Sequence, residues 1–263
     1  MKATAFLERS NERTLAADYA GDVCLWDIDK TYLDTRFSSL RGLLGIPFEL
    51  AIDKRAVAGT VPLLRGLRHG GGDESALVPL YFISGSPTQM RRVVEKKMTM
   101  DGVQYDGITF KDQLGLLKAR RPRGIVEQIG YKLRALLLYR REHPKAARYL
   151  LFGDDVERDQ ESFLVFGEVC AGLRGPALRD RLLSMGVHKE DAGAAVSLAD
   201  SLAVDADPVA HVFIHEVRGQ RATASDPRVH VARSFLEHAR TLRALGKIRD
   251  VDVDAVAREV ERK

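Results

Sequence analysis

Cysteine is scarce. The 263 residues hold two, Cys24 and Cys170, which is too few for a disulfide framework or a cysteine zinc site. Each lies in an apolar or helical run, so both read as small buried hydrophobes and fit a reducing compartment. Long hydrophobic runs are missing as well. No stretch approaches the roughly 20 apolar residues that span a bilayer, which excludes an integral membrane segment. The opening MKATAFLERSNERTLAADYAGD has no apolar core followed by a small-residue cleavage site, so a cytoplasmic location is expected. Neither sign of charge dominates: 41 Lys and Arg stand against 37 Asp and Glu, a net of +4, which bears on solubility more than on binding. The local basic clusters KARRPRG (118–124) and YRREHPK (139–145) read first as solvated helix ends and second as patches facing phosphate or a membrane. Aromatic residues interleave with neither, which argues against a single-stranded nucleic-acid groove. Internal repeats and low-complexity tracts are absent too.

What is present is an ordinary globular composition, 45% hydrophobic and 30% charged, over a length that suits one core domain with insertions. Three runs read as buried strands, VCLWDID (23–29), VPLYFISG (78–85) and RYLLFGDD (148–155), and HVFIHEV (211–217) is a weaker fourth. Between them lie helical patterns. The clearest is GIVEQIGYKLRALLLYRREH (124–143), where Ile125, Ile129, Leu133, Leu136 and Leu137 recur at helical spacing until Pro144. Residues 36–77 read as helix and loop. Residues 172–208 read as a helical insertion, and about 229–262 as an amphipathic helix followed by a frayed charged one. Strands buried on both faces and alternating with helices predict an α/β fold, a doubly wound parallel sheet with helices on both sides.

In such sheets ligands sit at the carboxyl ends of the strands. Asp27 with Asp29, Ser84 with Gly85, and Asp154 with Asp155 all fall at those ends, so three distant segments deliver polar groups to one rim. Clustered carboxylates repel unless a cation neutralises them, and oxygen ligands of this kind suit Mg2+. In DIDKT one carboxylate can attack phosphorus while the second donates a proton to the leaving oxygen. Each fragment alone has a plain structural explanation. A lone DxD is common in turns, SGS is a usual helix cap, GDD a usual turn, and Lys132 a usual snorkelling lysine. Their joint order is what carries weight. His211 and His215 lack a Cys or acid to complete a zinc set and read as structural.

DIDKT, then FISGSP, then a helical lysine, then LLFGDDVERD resembles the four ordered motifs of the haloacid-dehalogenase-like (HAD) phosphohydrolases, over about residues 22–165. The resemblance implies that Asp27 is the nucleophile and Asp29 the general acid and base that also offers its backbone carbonyl to magnesium. It further implies that Thr31 braces the motif, that Ser84 and Gly85 bind the phosphoryl group, and that Lys132 offsets its charge. Asp154 would hold magnesium, assisted by Asp155 or Asp159. Lys111, Lys118 and Lys145 are rivals of Lys132, which is favoured because it flanks the packing face of its helix. Lys30 departs from the family pattern, where Gly or Asp is usual. YFISGSPTQM, YDGITFKDQ and YKLRALLLYRREHPKAARYLLFGDDVERDQESF are similar, more narrowly, to the catalytic domain of actin-patch-type phosphatidate phosphatases, over about 22–217 with gaps. GDDVERD stands there in place of the family's serine-glycine form.

The expectation is a single HAD-like domain over 1–263 with a small or absent cap, because the segments between motifs are short for a large lid. Its activity would be magnesium-dependent phosphomonoester hydrolysis on a bulky phosphorylated substrate such as phosphatidate at a membrane surface. The alternatives are a catalytically weak lipid- or phosphoprotein-binding module and a nucleic-acid end phosphatase.

Overall fold

A computed structural model of the chain describes residues 6–34, 55–118, 128–218 and 226–262. Seven strands form one sheet: β1 (Leu7–Asn11), β2 (Asp22–Asp27), β3 (Leu80–Pro87), β4 (Gly107–Lys111), β5 (Arg148–Asp154), β6 (Val209–His215) and β7 (Val229–Ala232). Their spatial order is β1-β4-β3-β2-β5-β6-β7, with β1 antiparallel to β4 and every other pair parallel. Leaving out the antiparallel edge, the chain starts at a central strand, steps outward twice, then crosses back and steps outward on the other side. That is the 3-2-1-4-5-6 order compatible with a Rossmann-like fold, and its switch point lies between β2 and β5.

Strand side chains alternate between two cores because successive residues point to opposite faces. Val23, Leu25, Tyr81, Ile83, Tyr149 and Leu151 face one core. It is covered by α4 (Ile129–Glu142), α5 (Asp159–Cys170), α6 (Gly175–Ser184) and α7 (Lys189–Asp200). Cys24, Trp26, Leu80, Phe82, Leu150 and Phe152 face the other. There the cover is α1 (Thr60–His69), α2 (Arg91–Met100), α8 (Phe235–Ala244) and α9 (Asp250–Glu261). A short α3 (Gln113–Lys118) follows β4. Trp26 stacks on Phe152 at 4.2 Å and on Phe235 at 5.8 Å, tying β2, β5 and α8 together. Cys24 and Cys170 are buried and free.

Helix α4 is buried from Ile129 to Arg140, because the sheet covers one side and α5 and α7 the other. Its Arg134 is paired with Asp191 of α7 at 3.3 Å, both buried. Residues 172–208 therefore belong to the same core as the strands, through Leu178, Leu182, Ala192, Ala195, Leu198 and Ala199, and do not stand off as a separate lobe. The final charged stretch is not frayed. Val256 of α9 is fully buried and Asp252 packs on Gly66 of α1, where a Cβ would lie 2.8 Å from that of Asp252. The basic run at 139–145 is partly structural: buried Arg140 donates to the carbonyls of Pro144 and Lys145, each at 3.0 Å. The other basic run beyond Lys118, Ile125 and part of the segment between β2 and β3 (35–54) lie outside the described residues, and the small-cap expectation rests partly there. Among the described residues no helix is long and apolar enough to cross a membrane.

Candidate active site

The rim is built from turns at the ends of three strands. After Asp27 the chain folds back at once: Ile28 N–H donates to the Ile83 carbonyl at 3.0 Å, and Tyr32 and Leu33 N–H donate to the Ile28 carbonyl at 3.0 and 2.9 Å. Lys30 closes the turn with a left-handed φ of 61° and an N–H bond to the Leu33 carbonyl at 2.8 Å. This aims Asp29 at β3. Its carboxylate accepts from the Ser84 hydroxyl at 2.9 Å, the Ser86 N–H at 3.1 Å and the Ser86 hydroxyl at 2.7 Å. Thr31 is fully buried, but its hydroxyl has no hydrogen-bond partner, so backbone bonds brace this turn and not the threonine side chain.

At Gly85 the carbonyl accepts from Gln113 Nε2 at 2.7 Å. A Cβ there would lie 3.0 Å from Gln128 Oε1 and 3.2 Å from the Tyr131 hydroxyl, so glycine lets α4 approach the turn. At the end of β5, Asp154 Oδ1 accepts from the N–H groups of Val156 at 2.5 Å and Glu157 at 2.7 Å. Such an Asx turn brings Glu157 and Asp159 back over the rim. Asp159 Oδ2 accepts from Asp154 N–H at 3.0 Å. Only glycine fits at 153, where a Cβ would lie 2.4 Å from the Asp159 side chain.

Lys132 occupies the centre. Its Nζ is 2.9 Å from Asp27 Oδ1, 3.1 Å from Glu157 Oε2 and in contact with Asp159 Oδ1, donating hydrogen bonds to Glu157 and Asp159 and standing beside Asp27 as an ion pair. The rivals are elsewhere: Lys111 Nζ rests over the Tyr131 ring at 4.5 Å, and Lys118 and Lys145 are exposed. Asp155 is a correction to the expected metal set. Its carboxylate accepts from the N–H groups of Val217 at 2.8 Å and Arg218 at 3.1 Å, because neighbouring residues at a strand end point to opposite sides. Asp159 takes the place left open between the two. The Asp29 carboxylate, committed to Ser84 and Ser86, is likewise outside the triad of Asp27, Asp154 and Asp159, whose ligand atoms lie within 4.8 Å of one another.

Burial dominates the electrostatics. It pushes the Asp27 carboxyl well above the usual carboxylate range, against the opposing charge of Lys132. Asp154 is pushed up to about 7 by burial and then by the charge of Asp159. Burial alone would lower Lys132, but Asp159, Asp27 and Glu157 outweigh it and hold the ammonium charged. Both Asp27 oxygens and Asp154 Oδ2 are buried without a hydrogen-bond partner; the 2.9 Å approach of Lys132 to Asp27 Oδ1 is an ion pair out of line for a hydrogen bond. Orphaned carboxylate oxygens on converging residues suit a hard divalent cation, which would supply the missing partner and reverse the upward shifts.

Three further residues reach this rim without having been singled out in the sequence. Ser86 holds Asp29, Glu157 bridges Lys132, and Tyr131 brings a buried hydroxyl without a partner to the Gly85 turn. Glu157 lies inside the GDDVERD motif and Ser86 inside SGSP, so proximity to those motifs was the available signal. Compared with known proteins, the chain matches no family model, no curated protein and no solved structure.

Proposed function

We propose that the chain is a magnesium-dependent phosphomonoester hydrolase of the HAD type, acting through an aspartyl phosphate on Asp27. One observation carries this reading: Asp27 and Asp154, at the ends of adjacent strands, and Asp159, at the start of α5, bring ligand atoms within 4.8 Å of one another beside buried Lys132, and Asp27 and Asp154 keep unpartnered carboxylate oxygens. Asp27, Asp154 and Asp159 would hold the ion, which supplies the positive charge that lets carboxylates and phosphate approach.

On this reading an Asp27 oxygen attacks phosphorus, the ester P–O bond breaks, and the Asp29 carboxyl group passes a proton to the leaving oxygen. Asp29 then takes a proton from water as that water attacks the phosphoryl group, releasing inorganic phosphate and restoring Asp27. Ser84 and Ser86 fix the Asp29 carboxyl for both proton transfers. Lys132 stabilises charge on the transferring group from beside the nucleophile. The narrower assignment has two supports: a bulky ester follows from the short segments between motifs, and phosphatidate from the motif resemblance.

The test is hydrolysis of phenyl phosphate with magnesium, with EDTA, and by Asp27→Asn. Turnover is expected to vanish with EDTA and to fall by about 10³-fold or more in the variant, which loses its nucleophile. Equal rates for Asp27→Asn and the parent would overturn the assignment.

A further inference from the structure

Lys30 has no part in the reaction above, and the fold gives it an unusual setting. It holds a left-handed φ of 61°, a conformation that side-chain-bearing residues other than Asn and Asp rarely adopt. Glycine would take this turn without strain. A lysine here sends its ammonium to the mouth of the site, 3.3 Å from Glu157 Oε1, while the other oxygen of the same carboxylate lies 3.1 Å from Lys132 Nζ.

The carboxylate of Glu157 thus separates two lysines with different placements. Lys132 is 1% exposed and touches Asp27; Lys30 is 19% exposed at its side chain, and Glu157 11%. The inner lysine adjoins Asp27, and the outer one is partly exposed on the other oxygen of Glu157. One carboxylate within bonding distance leaves two of the three Lys30 N–H groups without a partner among the described residues. An anionic group arriving there would meet a preformed cation, with Glu157 still neutralised by Lys132.

Resting on the phosphatase reading, we propose that Lys30, anchored by Glu157, selects phosphomonoesters that carry a second anionic group, a carboxylate or a further phosphate, a few bonds from the ester oxygen. A matched pair tests this: 3-phosphoglycerate and glycerol 3-phosphate share a skeleton and differ by a carboxylate against a hydroxymethyl group. At low ionic strength the parent should favour the carboxylate ester in kcat/KM by about tenfold, the scale of one charge-assisted hydrogen bond. Lys30→Met should abolish that preference and leave glycerol 3-phosphate turnover within about threefold of the parent. Calorimetry on Asp27→Asn, with and without Lys30→Met, should give the same ratio in affinity. Equal loss on both esters would instead place Lys30 on the transferring phosphoryl group and overturn the proposal, as would an unchanged preference. If the parent hydrolyses phenyl phosphate but shows no preference, this inference alone fails. If it hydrolyses no phosphomonoester, the phosphatase reading fails and takes this inference with it.

Discussion

Two groups of titratable side chains flank the β5–β6 half of the sheet, one of buried acids and one of half-buried histidines around buried His238, and they handle desolvation differently. At the carboxyl rim, Asp27, Asp154 and Asp159 aim ligand atoms at one point beside a charged lysine. On the α8 side, His211, His215, His230 and His238 gather around Phe213 and Phe235. Phe213 stacks on His230 at 4.9 Å, and His211 meets His230 at 3.1 Å between ring nitrogens. Both groups contain orphaned polar atoms, for His215 Nδ1 and His238 Nε2 also lack partners. Only the acids form a set of three or more potential ligands among the described residues. The difference teaches that burial and lost hydrogen bonds do not identify a site by themselves. Convergence of like charges on a counterion does, because it stores repulsion that a cation relieves, whereas neutral imidazoles pack as aromatic rings.

The sharpest way to break this distinction is to remove the counterion. Lys132→Ala should lower turnover of a small phosphomonoester by roughly 10²-fold or more, the scale of losing one preorganised electrostatic donor. Lys118→Ala should leave that turnover nearly unchanged, since Lys118 is exposed at the end of α3. Steady-state rates on phenyl phosphate decide it, and the reverse pattern would transfer the role to Lys118.

The histidines should make the protein acid-sensitive. Burial lowers His238 to about 3 and, on the opposite face of the sheet, His143, which packs on Tyr81, Tyr139 and Tyr149, to about 4, against roughly 6.5 in an unfolded chain. Between those values and pH 6.5 the unfolded chain binds more protons than the folded one. The stability they contribute is therefore full above about pH 6.5 and lost as pH falls. Urea unfolding should show a loss of roughly 2 kcal/mol per histidine from pH 7 to pH 5, and His238→Phe should remove about half of that dependence while sparing hydrolysis. Asp154 has the opposite sign. With its folded value raised to about 7, the metal-free protein is favoured by protonation, and that contribution is lost as pH rises from about 4 through 7.

Much of this arrangement was legible in the sequence, for identifiable reasons. β2, β3, β5 and β6 are apolar because both faces are covered, so they stand out as runs. β1 (LERSN) is a polar antiparallel edge, and β4 (GITFK) and β7 (VHVA) are short, so none gives a comparable signal. Asp27, Lys132 and Asp154 were readable from motif order. Which of Asp155 and Asp159 turns inward was not, because the answer depends on the Asx turn at Asp154 and the missing Cβ of Gly153. Ser86, Glu157 and Tyr131 depend likewise on turn geometry and on how closely α4 approaches β3. The charged C-terminal stretch looked frayed because its apolar stripe is thin, yet Val256 is buried, Val253 and Val260 pack beside it, and Gly59 and Gly66 allow close contact with α1 and its start.

Whether Asp27, Asp154 and Asp159 hold magnesium is measured most directly by thermal unfolding at pH 8 with and without the ion, for the parent, Asp154→Asn and Asp155→Asn. Asp154→Asn removes a buried charge, so without metal its Tm should exceed that of the parent, and magnesium should leave it unchanged. Magnesium should raise the Tm of the parent and of Asp155→Asn equally, by an amount corresponding to about 2.7 kcal/mol at a hundredfold excess over Kd. A parent that ignores magnesium, or an Asp155→Asn variant that loses the response while Asp154→Asn keeps it, would contradict the account.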